Sequence, residues 1–310
     1  MSTHTETTLV PGLRARRARS GRIRGGAAPY IFIAPFYVLY GLFMIVPVVA
    51  AIVLSLTEWV GLGAPDFIGI QNYVDLAHDT SFGGALANSA VYTAIAVLIV
   101  VPVSLLVAQA LNARNLRLRD MFRVAYFVPM VLSPIVIALI YSLIFDRDYG
   151  LLNSSLQALF GLPHIDWLGD PTIAKGAIGF VLMWRTVGYL TIFFLAALQN
   201  VPGELYEAAA LDGAGPVRSF FTVTLPSIRP VTAFVIVTSF ISAAQLFDEP
   251  YLLTKGGPGE ATLSVAMFIY RAAFERQQFG YAAAAGVVLF AIVFIISQGL
   301  NRLLGIGRES

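Results

Sequence analysis

The sequence predicts an all-α membrane protein of six transmembrane helices with both termini in the cytoplasm. Three observations carry that prediction. Of the 310 residues, 57% are hydrophobic and only 12% are charged, whereas a soluble domain carries roughly a quarter charged residues. Six apolar runs approach or exceed the about 20 residues needed to cross a bilayer. The basic residues divide unevenly between the segments that join those runs.

Residues 1–28 hold Arg14, Arg16, Arg17, Arg19, Arg22 and Arg24 among Gly and Ser. They read as a disordered basic cytoplasmic tail. The membrane domain covers residues 29–304, and residues 305–310 form a cytoplasmic C-terminus. The first apolar run is too long for a signal-peptide core of roughly 7–15 residues, so it is expected to stay as a span. The six spans lie near Tyr30–Leu56, Asn88–Leu111, Phe122–Phe145, Ile173–Leu198, Pro230–Phe247 and Tyr281–Leu304. Pro35, Pro47, Pro102, Pro129 and Pro134 interrupt the first three, which membrane helices tolerate where neighbours satisfy the freed carbonyls. Gly280, Ala282, Ala284 and Gly286 open the last span and permit close helix approach. Ala261–Phe274 is too short to span comfortably and reads as an amphipathic outer helix packed on the bundle.

With the N-terminus inside, the inner segments carry the six tail arginines plus Arg114, Arg117, Arg119, Arg123, Arg218, Arg229, Arg302 and Arg308. The outer segments carry Arg147, Lys175, Lys255, Arg271 and Arg276. Fourteen against five sets both ends inside.

Several functions are disfavoured. There is no cysteine, so disulfides, thiol catalysis and cysteine metal sites are out. His4, His78 and His164 all lie outside the apolar stretches, which leaves no intramembrane histidine for haem or metal. No metal or other cofactor is expected, and no cluster of catalytic groups sits at one membrane depth. The eighteen acidic residues all lie outside the spans or at their ends. Ion-coupled carriers usually need ionisable groups within the membrane. No G-x-x-x-x-G-K-[ST] loop is present to hold ATP phosphates, so energy for active transport must come from a partner.

Arg185 is the exception among the charges, near the middle of the fourth span. A charge at mid-depth costs about 2.5–3.5 kcal/mol on insertion scales, so it should face a polar cavity. Two readings stay open: a donor to solute hydroxyls, or a structural bond to neighbouring carbonyls. Tyr189, four residues on, shares its helix face. Thr238, Ser242 and Gln245 share one face of the fifth span through their i, i+4, i+7 spacing. They either line a solute path or join helices by hydrogen bonds. The expected cavity combines donors, acceptors and an aromatic ring without a carboxylate, which suits a neutral hydroxylated solute. A sugar phosphate would also be drawn to Arg185.

Between the fourth and fifth spans, Pro202-Gly203-Glu204-Leu205-Tyr206-Glu207-Ala208-Ala209-Ala210-Leu211-Asp212-Gly213 reads as a short inner helix. Pro202 and the early acids favour its start, and Gly213 suits a C-terminal cap. Its alanines permit docking in a groove. Glu207-Ala208-Ala209, then Gly213, then Val223-Thr224-Leu225-Pro226 resembles the EAA loop of ABC importer permeases. Val223 stands where that family more often has Ile.

Other segments resemble the maltose-transporter-like carbohydrate permeases: Phe67-Ile68-Gly69-Ile70-Gln71-Asn72-Tyr73, Gly150-Leu151-Leu152-Asn153, Thr254-Lys255-Gly256-Gly257-Pro258 and Phe279-Gly280-Tyr281-Ala282-Ala283. The resemblance covers roughly Pro29 to Leu304. It implies a type I ABC importer permease fold whose inner helix couples to an ATP-binding subunit. Glu207 and Gly213 carry over, within a coupling loop at 200–226 that includes Ala208, Ala209, Asp212, Leu225 and Pro226. It also implies that Gly256, Gly257 and Pro258 help seat an external solute-binding protein. Tyr189, Ser242 and Gln245 fall at or beside sugar-lining positions, whereas Leu182 and Ile241 depart from them. The implied partners are a second, homologous permease, two ATP-binding subunits, the solute-binding protein, a sugar and the lipid of a bacterial cytoplasmic membrane. Import of a polyol, glycerol-phosphate or another polar metabolite remains open, as does a lone channel or secondary carrier.

Overall fold

The computed structural model describes residues 28–305, apart from 113–120, 122–125 and 127. The basic tail before Ala28, the inner arginines Arg114, Arg117, Arg119 and Arg123, and the C-terminal residues after Gly305 lie outside the described residues. By contacts the chain divides into two units, Met1–Val48 and Val49–Ser310.

Helix α1 runs over Tyr30–Leu54 and includes a π-helical turn at Gly41–Ile45. None of its most apolar window is buried, and Phe32, Phe36, Phe43 and Val53 are all exposed. An unbroken apolar surface of this kind is stable only against lipid or another apolar surface.

In the second unit, strands β1 (Thr57–Glu58) and β2 (Asp66–Phe67) form a short antiparallel hairpin. Helix α2 (Gln71–His78) follows and fixes the hairpin through Asn72. The Asn72 Nδ2 donates to the carbonyls of Ser55 and Thr57, both at 2.9 Å.

Helix α3 spans Thr80–Asn112. It starts eight residues before the expected Asn88 because Asp79 caps it, accepting from the backbone N–H of Ser81 and Phe82. At 1.5 Å per residue its 33 residues reach about 50 Å, well beyond a bilayer core of about 30 Å. The third expected span, Phe122–Phe145, is corrected in its described part. The helix breaks at Ser133, which is extended, and α4 (Pro134–Ile144) begins anew. Proline disfavours helical backbone in the residue before it.

Helix α5 (Leu151–Phe160) lies beyond α4 and is held by Asn153. This buried side chain donates to the carbonyls of Arg147 and Ile165 and accepts from Ile165 N–H and Trp167 Nε1–H. Helix α6 (Ala174–Gln199) is half buried and forms the centre of the bundle. Leu190, Phe194 and Leu198 on it pack with Val101, Leu105 and Ala108 of α3.

After α6 come the short helix α7 (Gly203–Leu211), then α8 (Pro216–Ser227) and α9 (Arg229–Ala244). The axes of α8 and α9 meet at 73° about Ile228, between Pro226 and Pro230. Each proline lacks the N–H needed to continue a straight helix. A π-helical turn at Pro250–Thr254 leads to α10 (Val265–Tyr270), which continues through Glu275. The segment expected as an outer amphipathic helix is this one, with Val265, Met267, Phe268 and Ala272 buried. Helix α11 (Phe279–Leu304) closes the chain. Gly280 lets it meet the hairpin, since a Cβ there would lie 1.9 Å from the Thr57 carbonyl oxygen. Ala282 and Ala284 are buried, but a Cβ added at Gly286 would meet nothing within 4 Å, so only part of that small-residue stretch serves close packing.

By length and composition, four described helices can cross a membrane, and the bent α8–α9 pair makes up to five.

Candidate functional site

The central feature is a cavity of about 250 Å³ enclosed by α3, α6 and α9. Its polar wall is built by Arg185, Thr186 and Tyr189 of α6 and by Thr238, Ser239 and Ser242 of α9. Its apolar wall includes Val100 of α3, Leu182 and Leu246. The fold therefore brings four of the five expected path residues together: Arg185, Tyr189, Thr238 and Ser242. Gln245 ends α9 exposed and is not in the wall.

The hydroxyls are not equivalent. Thr238 Oγ1 donates back to the Phe234 carbonyl at 2.8 Å, so its proton is engaged within its own helix. Ser239 is only 6% exposed, and its Oγ has no hydrogen-bond partner among the described residues. A buried hydroxyl left unpaired costs about 1–3 kcal/mol. Ser239 was not picked out from the sequence. It stands one residue off the Thr238–Ser242 stripe, and its burial depends on how α9 rotates against α6.

Arg185 does not stand free. Its Nε lies 2.8 Å from Glu249 Oε1 and its Nη1 lies 3.5 Å from Asp248 Oδ2. Glu249 is 5% exposed, and neither of its oxygens has a well-angled hydrogen bond among the described residues. The expectation that no carboxylate accompanies Arg185 is therefore corrected in one respect. Among the described residues the cavity wall contains no acid, but two acids pair with the guanidinium, beside α4. Both follow α9 closely in sequence, and the chain turns there to bring them to Arg185 of α6.

On α7, Glu204 lies in the first turn and Gly213 closes the end at φ +75°. There the Gly213 N–H donates to the Ala210 carbonyl and the Ala214 N–H to the Ala209 carbonyl. No residue of α7 is buried. Glu207, Ala208, Asp212 and Gly213 are exposed and Ala209 is half-buried. Tyr206 Oη lies 3.0 Å from Thr224 Oγ1, which ties α7 to α8 next to Leu225 and Pro226.

The loop at Gly256–Gly257–Pro258 is firmly braced. Thr262 Oγ1 donates to the Gly257 carbonyl, and Arg271 donates to the Lys255 carbonyl. Asn88 of α3 donates to the carbonyls of Glu260 and Leu263. Gly256 is itself buried, while Gly257 and Pro258 are half-buried and Lys255 is exposed. Among the described residues no group of His, Cys, Asp or Glu side chains could hold a metal ion.

Long apolar helices around a cavity lined by hydroxyls, with a capped surface helix, fit a membrane transport component. Residues 100–305 match the family model described as binding-protein-dependent transport system inner membrane component, so this chain belongs to that family. It is 34% identical to the arabinooligosaccharides transport system permease protein of Bacillus subtilis (strain 168), covering 90% of this chain and 89% of that one. It is 37% identical to the lactose transport system permease protein of Rhizobium radiobacter, covering 86% and 91%. It is also 34% identical to the diacetylchitobiose uptake system permease protein of Streptomyces coelicolor, covering 96% and 89%. A crystal structure of a bacterial alginate ABC transporter, bound to a periplasmic protein carrying alginate pentasaccharide, contains a chain with the same fold. The TM-score is 0.79 at 21% identity, with coverage of 89% and 93%.

The fold is that of a helical ABC importer permease. The chain is a multi-pass component of the cytoplasmic membrane, a transport subunit and not an enzyme. Its family works with an ATP-hydrolysing partner and a solute-binding protein.

Proposed function

We propose that this chain is one of two homologous permease subunits of an ATP-driven importer, and that its solute is a mono-, di- or oligosaccharide. The observation that carries this reading is the cavity between α6 and α9, whose wall brings the hydroxyl residues Thr238, Ser239 and Ser242 together with Tyr189. Hydroxyls exchange hydrogen bonds with sugar hydroxyls, and an aromatic ring offers a stacking face. The naming of its relatives for arabinooligosaccharides, lactose and diacetylchitobiose supports the same class. At about 250 Å³ the cavity is smaller than an ordinary small-molecule pocket of about 300–1,000 Å³, in keeping with a path completed by a second subunit.

In this reading the chain crosses the membrane six times with both ends inside. Helix α7, with Glu207, Ala208, Ala209, Asp212 and Gly213, seats on an ATP-binding subunit, supported by Leu225 and Pro226. The braced Gly256–Pro258 loop lies outside, where the solute-binding protein docks. The test is uptake of labelled sugars into liposomes holding the full set of subunits. Uptake should require ATP, the binding protein and both permeases. Flux through the chain alone without ATP would mark it as a channel or a secondary carrier.

A further inference from the structure

We propose that Asp248 and Glu249 are charge-selectivity residues, which commit Arg185 to the protein and restrict the path to uncharged solutes. The proposal rests on the cavity being the sugar path. Among the described residues, Arg185 and Tyr189 are the only ionisable residues in the cavity wall. A lone guanidinium there would draw anions strongly, because the interior screens charge far less than water does. Its surroundings cancel that attraction. Glu249 sits 2.8 Å from Nε and Asp248 sits 3.5 Å from Nη1. With both acids ionised the trio carries one net negative charge; with one protonated it is neutral. In neither state does the path present net positive charge.

The geometry separates the roles. Arg185 borders both the cavity and a narrow void of about 10 Å³, and it shares that void with Asp248, Glu249, Ile137 and Leu253. The acids therefore pair with the guanidinium without themselves lining the cavity. The groups left to recognise solute are uncharged: Ser239, Ser242 and Tyr189. Arg185 becomes a positioning residue that joins α6 to the turn after α9, and sugar phosphates and sugar acids are rejected.

The test uses the complete transporter in liposomes. The probes are the neutral oligosaccharide that the wild type imports fastest and the aldonate made by oxidising its reducing end, which adds one negative charge. The binding protein is supplied saturated with each, and it is identical across variants, so its own preference cancels in the comparison. Wild type should import the aldonate at least about tenfold more slowly than the neutral sugar. The double substitution Asp248→Asn with Glu249→Gln leaves the Arg185 charge uncompensated and should raise the aldonate-to-neutral ratio about tenfold. Equal uptake of the two sugars by wild type, or an unchanged ratio in an assembled variant, overturns the proposal.

A second arm removes dependence on one variant assembling. Arg185→Gln alone should lower the yield of assembled complex, since it strands Glu249. Arg185→Gln combined with Glu249→Gln should restore assembly and neutral-sugar uptake. An assembled double variant without uptake would mean that Arg185 binds solute, which overturns the proposal. If wild type imports no sugar with ATP, the functional reading itself has failed, and that result is distinct from either outcome above.

Discussion

A few side chains in this bundle serve as anchors whose value comes from burial. Asn88 is 3% exposed and spends both Nδ2 protons on carbonyls of the 260–263 loop, more than 170 residues away in sequence. Asn88→Ala should strand those carbonyls at a cost of about 1–3 kcal/mol. Asn88→Asp should be worse, because a carboxylate would oppose two acceptors. The check is thermal unfolding in detergent, where a Tm equal to wild type for both would refute the anchoring role. Ser239 is a different case, as its buried hydroxyl has no hydrogen-bond partner among the described residues. Ser239→Ala should leave Tm unchanged or slightly raised, since it removes an unsatisfied group, while sugar uptake falls about tenfold or less. Lower Tm with unchanged uptake would assign Ser239 to packing. The sequence made Arg185 visible because a charge in an apolar run is costly anywhere. It hid Ser239, whose chemistry is ordinary in a membrane helix, and it hid Glu249, which looks like a loop acid until the turn after α9 is known.

At the scale of elements, apolar length identified the long helices and backbone chemistry decided their ends. Asp79 lengthened α3 backwards through Thr80–Gly84, a polar stretch that hydropathy alone leaves outside a span. Pro134 split the third expected span, and the pair Pro226 and Pro230 turned α8 against α9. Helix α7 was legible almost to the residue, because Pro202 precedes it, Glu204 opens it and Gly213 ends it at positive φ. Its exposed face gives a direct prediction. Glu207→Lys places a cation where the proposed ATP-binding partner meets an acid, and Gly213→Asp puts a side chain at a left-handed position costing about 1 kcal/mol. Both variants should insert normally and lose ATP-dependent uptake. Because no α7 residue is buried, a folding defect is not the expected route to that loss. Normal uptake in both would remove α7 from the coupling role.

For the whole molecule, orientation follows from charge and the fold must be consistent with it. Fourteen basic residues on one set of segments against five on the other favour both ends inside. Several of the inner arginines lie outside the described residues, so the orientation rests on sequence and not on packing. Packing supplies two markers that the orientation must separate. The α7–α8 turn precedes α9 in the chain and the 255–260 loop follows it, and in the proposed topology they face opposite sides of the membrane. Lys255 is exposed and already holds a left-handed backbone at φ 48° as a non-glycine residue, so a cysteine there keeps the local geometry. The buried Gly256 and the half-buried Gly257 would make poorer reporters. The chain has no cysteine of its own, so a single Lys255→Cys or Asp212→Cys substitution gives an unambiguous signal. Lys255→Cys should react with a membrane-impermeant thiol reagent in intact spheroplasts. Asp212→Cys should react only after the membrane is opened. The reverse pattern would invert the protein. It would place the expected coupling helix outside, beyond reach of any ATP-hydrolysing subunit, and would require the binding-protein surface to be sought on the α7 side.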